Sequence, residues 1–117
     1  MPKEFSRKVR VANAIRKLIA PVIDRLSRDN GFGLVSVTDV DVSPDLKTCD
    51  VFISVFGNAE EQTQTVAYFQ DNAGPIRSEI AQDLTMKRNP ALKFKLDKGM
   101  ENSARLTRLL KGDSSAE

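Results

Sequence analysis

Between Ala12 and Leu26 the apolar residues Ala12, Ile15, Ile19, Val22, Ile23 and Leu26 recur every three or four positions. At about 100° per residue they fall on one stripe of an amphipathic helix. Phe5 and Ser6 read as its entry, with Ser6 as N-cap and Phe5 as the apolar residue before it. Pro21 lacks the N–H that the helical ladder needs, so a bend is expected there on the outer face. The turn signal Asn30-Gly31-Phe32-Gly33 follows, and then a β-rich run from Leu34 to Ser43. Its apolar phase changes between Val35/Val37 and Val40/Val42, which predicts a bulge or face switch near Thr38-Asp39. Ser43-Pro44-Asp45-Leu46 is a tight connection into Thr48 to Phe56, where Val51, Ile53 and Val55 share one face, so the two runs form a hairpin.

Gly57-Asn58 ends the second strand, and a helix is predicted from residue 59 to Asn72 with Val66, Phe69 and Ala73 inward. At Asn72-Ala73-Gly74-Pro75 the glycine lowers helix propensity by about 1 kcal/mol and the proline favours a first turn, so a sharp break and a new helix are expected. Ile76, Ile80 and Leu84 mark that third helix, whose end is placed near Lys87-Arg88-Asn89, ahead of Pro90. Leu92, Phe94 and Leu96 alternate with Lys93, Lys95 and Asp97, a half-buried strand. Ala104, Leu106, Leu109 and Leu110 allow a short C-terminal helix over 101–111, and residues 112–117 are a polar tail. No repeat or linker divides the chain, so one α+β domain over residues 1–111 is expected, with the tail at 112–117.

The chain has 117 residues, 40% of them apolar and 29% charged, the balance of one ordinary globular domain. Its longest apolar stretches, Leu18 to Ile23 and Val51 to Val55, fall far short of the roughly 20 residues that a membrane span requires. The N-terminus shows no apolar segment with a cleavage site, so a cytoplasmic address is expected. Cys49 is the only cysteine; it excludes an intrachain disulfide and reads as a small core hydrophobe, since nearby acidic residues would raise its pKa. Histidine is absent, which removes Ser-His-Asp and Cys-His catalysis and the HExxH zinc motif. Asp39, Asp41, Asp45 and Asp50 around the hairpin are read as solvated charges before they are read as a metal or catalytic site.

The net charge of +2 hides a strong asymmetry. Residues 1–28 carry eight Lys or Arg against Glu4 and Asp24, a balance of +6; residues 29–72 carry Lys47 against eight acidic residues, −7; residues 73–117 come to +3. On the first helix Arg10, Lys17 and Arg28 lie within about 20° of the face opposite Ile19, with Lys3, Arg7 and Arg25 beside them. Almost no acidic residues are interspersed for i,i+4 pairing, so the stripe repels itself and favours a phosphate partner over a merely solvated face.

The order helix, strand, strand, helix, helix, strand is that of a type II KH-like domain, an RNA-binding architecture. No GxxG occurs, and Asn72-Ala73-Gly74 stands at the junction where that loop would lie. The chain resembles the ribosome-binding factor A family in Lys3-Glu4-Phe5 with Arg7 and Arg10-Val11-Ala12. The resemblance continues in Ser43-Pro44-Asp45-Leu46 leading into Val51-Phe52-Ile53-Ser54-Val55, in Gly74 with Ile76-Arg77, and in Asn89-Pro90-Ala91-Leu92-Lys93-Phe94. Members of that family have an Ala-x-Gly kink in place of GxxG; here Asn72 stands where the Ala is usual, and Pro75 where an aromatic is common.

The resemblance implies a bacterial, non-enzymatic assembly factor. It would bind free or immature 30S subunits, assist processing at the 5′ end region of 16S rRNA and late subunit maturation, and leave before translation. It implies no cofactor, no small-molecule substrate and no membrane, and a monomer is expected. By residue type, Lys3, Arg7, Arg10, Lys17, Arg25 and Arg28 would contact phosphates, with Arg77, Lys87 and Arg88 extending the positive surface around the helix kink. Two rivals remain: a KH-like protein-interaction or general RNA-binding module not dedicated to the ribosome, and a metal-dependent nuclease using Asp39, Asp41 and Asp45.

Overall fold

A computed structural model of the protein describes residues 3–86 and 88–97, with side chains from Arg7 onward. Helix α1 runs from Lys3 to Asp29. Ser6 therefore lies inside the helix instead of capping it: Lys3, Glu4, Arg7 and Lys8 are all good helix formers, and the helix extends back through them. The helix continues on both sides of Pro21, which is exposed, so the missing N–H faces water and not the core. The predicted stripe is the buried one: Ile15, Ile19, Val22 and Ile23 are at most 5% exposed, with Ala12 and Leu26 half-buried beside them.

Strands β1 (Val35–Val42) and β2 (Thr48–Val55) pair antiparallel. The register passes from Val37↔Ile53 to Asp39↔Phe52. Thr38 is thus the extra residue of a bulge, and its hydroxyl donates to the Phe52 carbonyl at 3.2 Å. The extra residue lets Val35 and Val37 on one side of it, and Val40 and Val42 on the other, all pack on the core, as the change of phase predicts. The connecting turn is organised by Ser43. Its carbonyl accepts from the Leu46 N–H at 2.9 Å, while its hydroxyl accepts from the Thr48 N–H at 3.0 Å and donates to Asp45 at 2.6 Å. Leu46 adopts a left-handed conformation, φ 61°, which costs a non-glycine residue about 1–2 kcal/mol.

Helix α2 (Ala59–Asp71) starts with a capping box in which Asn58 Oδ1 accepts from the Glu61 N–H and Glu61 accepts from the Asn58 N–H, both at 2.8 Å. One residue, Asn72, separates it from α3 (Ala73–Ala81). At φ −103°, ψ 14°, Asn72 bridges the two helices: its side-chain amide and backbone N–H both donate to the Tyr68 carbonyl, and its own carbonyl accepts from Ile76 at 3.0 Å. Gly74 and Pro75 already lie within α3, so the break is made by Asn72 and not by the glycine.

Helix α3 ends at Ala81, earlier than the sequence suggests. The N–H groups of Asp83 and Leu84 bond back to Ile80 and Ala81, the i→i+3 tightening of a closing turn. That turn still buries Leu84 while sending the chain towards β3 (Ala91–Leu96), which pairs parallel to β2. The sheet order is β1-β2-β3.

The inward residues Val40, Val42, Cys49, Val51, Ile53, Leu92 and Phe94 form one cluster with the helices, whereas Asp41, Asp50, Lys93 and Lys95 stand on the opposite, open side of the strands, where Lys95 pairs with Asp50 at 3.0 Å. Phe69 is fully buried at the centre and meets Phe32, Tyr68 and Phe94 with ring centroids 5.3–6.1 Å apart. Cys49 has no exposed surface, and burial, then Asp50 and Asp41, push its thiol up to about 12. It is the inert core cysteine that its sequence setting suggests. The expected helix over 101–111 and the tail 112–117 lie outside the described residues. The α+β architecture and its helix order are those of a type II KH-like domain.

Candidate nucleic-acid interface

The cations of α1 divide into two groups once their partners are known. In the C-terminal half, Arg25 holds both carboxylate oxygens of Glu79 on α3, each at 2.8 Å. This raises the pKa of Arg25 and lowers that of Glu79. Arg28 pairs with Asp24 one turn back at 2.8 Å, so the expectation of a stripe without i,i+4 partners fails at this end. A phosphate could reach either guanidinium only in competition with a carboxylate already in place. In the N-terminal half, Arg7, Arg10 and Lys17 are exposed and form no salt bridge among the described residues. Lys8 pairs with the exposed Asp41 of β1 at 3.6 Å.

Arg7 and Arg10 line an open cleft of ≈ 620 Å³, where the start of α1 meets the β1–β2 turn and the loop after α3. Lys47 from the turn and Arg88 from the loop complete a rim of four cations against one carboxylate, Asp45, a local balance of +3. Val11, Leu46, Leu84 and Met86 supply an apolar lining. Asp45 stays ionised: the Ser43 hydroxyl, then the Lys47 N–H at 3.0 Å, hold its carboxyl below the usual range. The opening turns of a helix are its positive end, so cations crowded there cost stability unless an anion relieves them. That placement favours a polyanionic ligand.

Arg77 has a different task. Its Nε and Nη2 both donate to the Asn89 carbonyl, at 3.2 and 2.6 Å, and tie α3 to the segment that leads into β3. Lys17 lies apart from the cleft, in a shallow crevice beside Pro21 and the start of β1. Lys87 and the side chain of Lys3 lie outside the described residues.

Of the sequence candidates, then, the fold brings Arg7, Arg10 and Arg88 together, leaves Lys17 separate and engages Arg25, Arg28 and Arg77 in internal contacts. Lys47 is the residue that sequence reasoning missed. It stands in the most acidic third of the chain, and only the hairpin's position against α1 makes it part of a basic site. Gly74 and Pro75, expected from the sequence to form the kink, are exposed in the first turn of α3, and a Cβ at Gly74 would meet no atom within 4 Å. Among the described residues no three His, Cys, Asp or Glu side chains are grouped to hold a metal ion, and no helix is long and apolar enough to cross a membrane.

A family model described as ribosome-binding factor A matches residues 7–110. The chain is 43% identical over 105 residues to ribosome-binding factor A of Thermomicrobium roseum, a span of 90% of this chain and 81% of that one. The solution structure of a Thermotoga maritima protein described as a ribosome binding factor A superposes with a TM-score of 0.66 at 31% identity, covering 81% of this chain and 91% of its own. The fold is shared again, at 21% identity and a TM-score of 0.63, by a homology model of the Thermus thermophilus factor as fitted into a cryo-electron-microscopy map of its complex with the 30S subunit, covering 74% of this chain and 90% of that one.

Proposed function

The chain belongs to the ribosome-binding factor A family, and from that premise we propose that it is a bacterial ribosome biogenesis factor. In this reading it binds free or immature small subunits through 16S rRNA, assists processing of the 5′ end region and late maturation, and departs before translation. It acts in the cytoplasm by binding and not by catalysis, as one KH-like domain over residues 1–111. The observation that carries the reading is the cationic cleft at the start of α1, where Arg7, Arg10, Lys47 and Arg88 converge from three separate segments. Cations gathered in this way neutralise phosphates and release counterions, the main source of affinity for a nucleic acid. The relative fitted into a 30S complex supports the choice of the small subunit as partner.

Sedimentation of a lysate containing the tagged protein, at low and at moderate salt, tests the proposal. The protein should migrate with free small subunits and not with translating ribosomes, and nuclease treatment should release it. A protein found only at the top of the gradient at both salts overturns the reading. Binding to ribosomal proteins that persists after complete digestion of the RNA replaces it with docking on ribosomal protein.

A further inference from the structure

We propose that the cleft between the start of α1 and the β1–β2 turn is a pocket for one unstacked nucleotide of an RNA strand. The proposal rests on the reading of the protein as an RNA-binding factor and adds a specific ligand to it. A surface that only follows a duplex backbone needs charge but no apolar recess, because the bases of a helix are stacked out of reach. Here the charge rings a recess of ≈ 620 Å³ lined by Val11, Leu46, Leu84 and Met86, within the volume range of small-ligand sites. One base fits such a lining by its faces.

The polar groups suit the rest of a nucleotide. Asp45 is the only acidic side chain of the lining, and its Oδ1 is already used by Ser43 and Lys47. In this proposal its other oxygen, Oδ2, accepts an N–H from the edge of a base. The four rim cations exceed the charge of one phosphate and match a strand whose neighbouring phosphates pass on either side, which favours a strand over a free mononucleotide. Leu46 adds an independent sign. It holds a left-handed backbone, φ 61°, where glycine or asparagine would relieve the strain, and its apolar side chain lines the recess. Backbone strain concentrates at ligand sites.

The test uses three probes: an RNA hairpin with a single bulged 2-aminopurine, the same hairpin with that base paired, and free adenosine monophosphate. The full chain should bind the bulged hairpin about tenfold more tightly than the paired one, the scale expected for taking the face of one base out of water against an aliphatic lining, and 2-aminopurine emission should rise as the base leaves its stacked neighbours. Leu46→Asn keeps the left-handed turn accessible, and Met86→Ala shortens the lining without touching a charge. Each should bring the ratio of bulged to paired affinity towards one. Equal affinity for the two hairpins overturns the pocket but leaves phosphate binding standing, as does a preference that persists in both variants. Displacement of the bulged hairpin by submillimolar adenosine monophosphate overturns the strand-borne ligand. Binding of neither hairpin at low salt overturns the pocket and the RNA-binding reading together.

Discussion

The perturbation that separates this site from a general positive charge is the removal of single cations, read through salt dependence. Each phosphate neutralised contributes about 0.7–0.9 to the slope of log affinity against log salt. Four phosphates met by Arg7, Arg10, Lys47 and Arg88 therefore give a slope of about 2.8–3.6, and a rise from 50 to 200 mM monovalent salt should weaken binding about 50- to 150-fold. Arg10→Ala or Lys47→Ala leaves three contacts, a slope of about 2.1–2.7 and a loss of only about 20- to 40-fold over the same interval.

Both side chains are exposed, so neither change should alter stability by more than about 0.5 kcal/mol. Arg28→Ala is the control: Asp24 already pairs with Arg28 at 2.8 Å, and the slope should hardly move. Fluorescence titration of purified small subunits with labelled protein at four or five salt concentrations supplies the measurement. A slope that stays constant in Arg10→Ala and Lys47→Ala but flattens in Arg28→Ala would refute the assignment and move the contact to the far end of α1.

Gly74→Ala should leave the melting temperature unchanged or raise it, by up to about 1 kcal/mol of stability from helix propensity, because a Cβ there meets open space; a marked loss of stability would contradict the placing of the break at Asn72. The Arg25 hydrogen bond holds the Glu79 carboxyl below its ordinary value of 4.5, so the pair's stabilisation is present above that pH and is lost as pH falls through the lower folded value. Thermal melts of the protein and of Glu79→Gln should accordingly differ at neutral pH and converge in acid, whereas a difference constant across the range refutes the pairing. Cys49 should react with a thiol reagent only as fast as the protein unfolds. With its thiol at about 12 in the fold against an ordinary 9.0, its contribution is complete below pH 9 and disappears as pH rises through the folded value; Cys49→Ser should cost about 1–3 kcal/mol in urea titrations by burying a hydroxyl without a partner, and fast labelling of the folded protein would contradict the burial.

Much of the fold is written in short-range pattern. The three- and four-residue spacing from Ala12 to Leu26 identifies the buried stripe of α1, and strict alternation identifies β2 and β3, because the side-chain period of an element belongs to its backbone geometry alone. The bulge at Thr38 is visible for the same reason: a change of phase between Val37 and Val40 has no other way to keep both sides on the core. The end of α3 was not legible, since Leu84 continues the helical spacing and is buried, but by way of an i→i+3 turn required to bring the chain back beside β2.

The candidate site was half legible. Composition and periodicity alone determined that α1 is basic on one side and apolar on the other, that chemistry requiring histidine is excluded, and that Cys49 is a core residue. Which cations remain available was decided by tertiary structure. Arg25 is taken by a glutamate 54 positions away, Arg77 by a carbonyl 12 positions away, and Lys47 leaves its acidic neighbourhood for the rim of the cleft because the hairpin packs against α1. A sequence specifies the charge of a side chain and its direction on its own element. Whether that charge meets a carboxylate, a carbonyl or open water depends on how separate elements pack, and here packing converts a long positive helix into one cleft at its first turns.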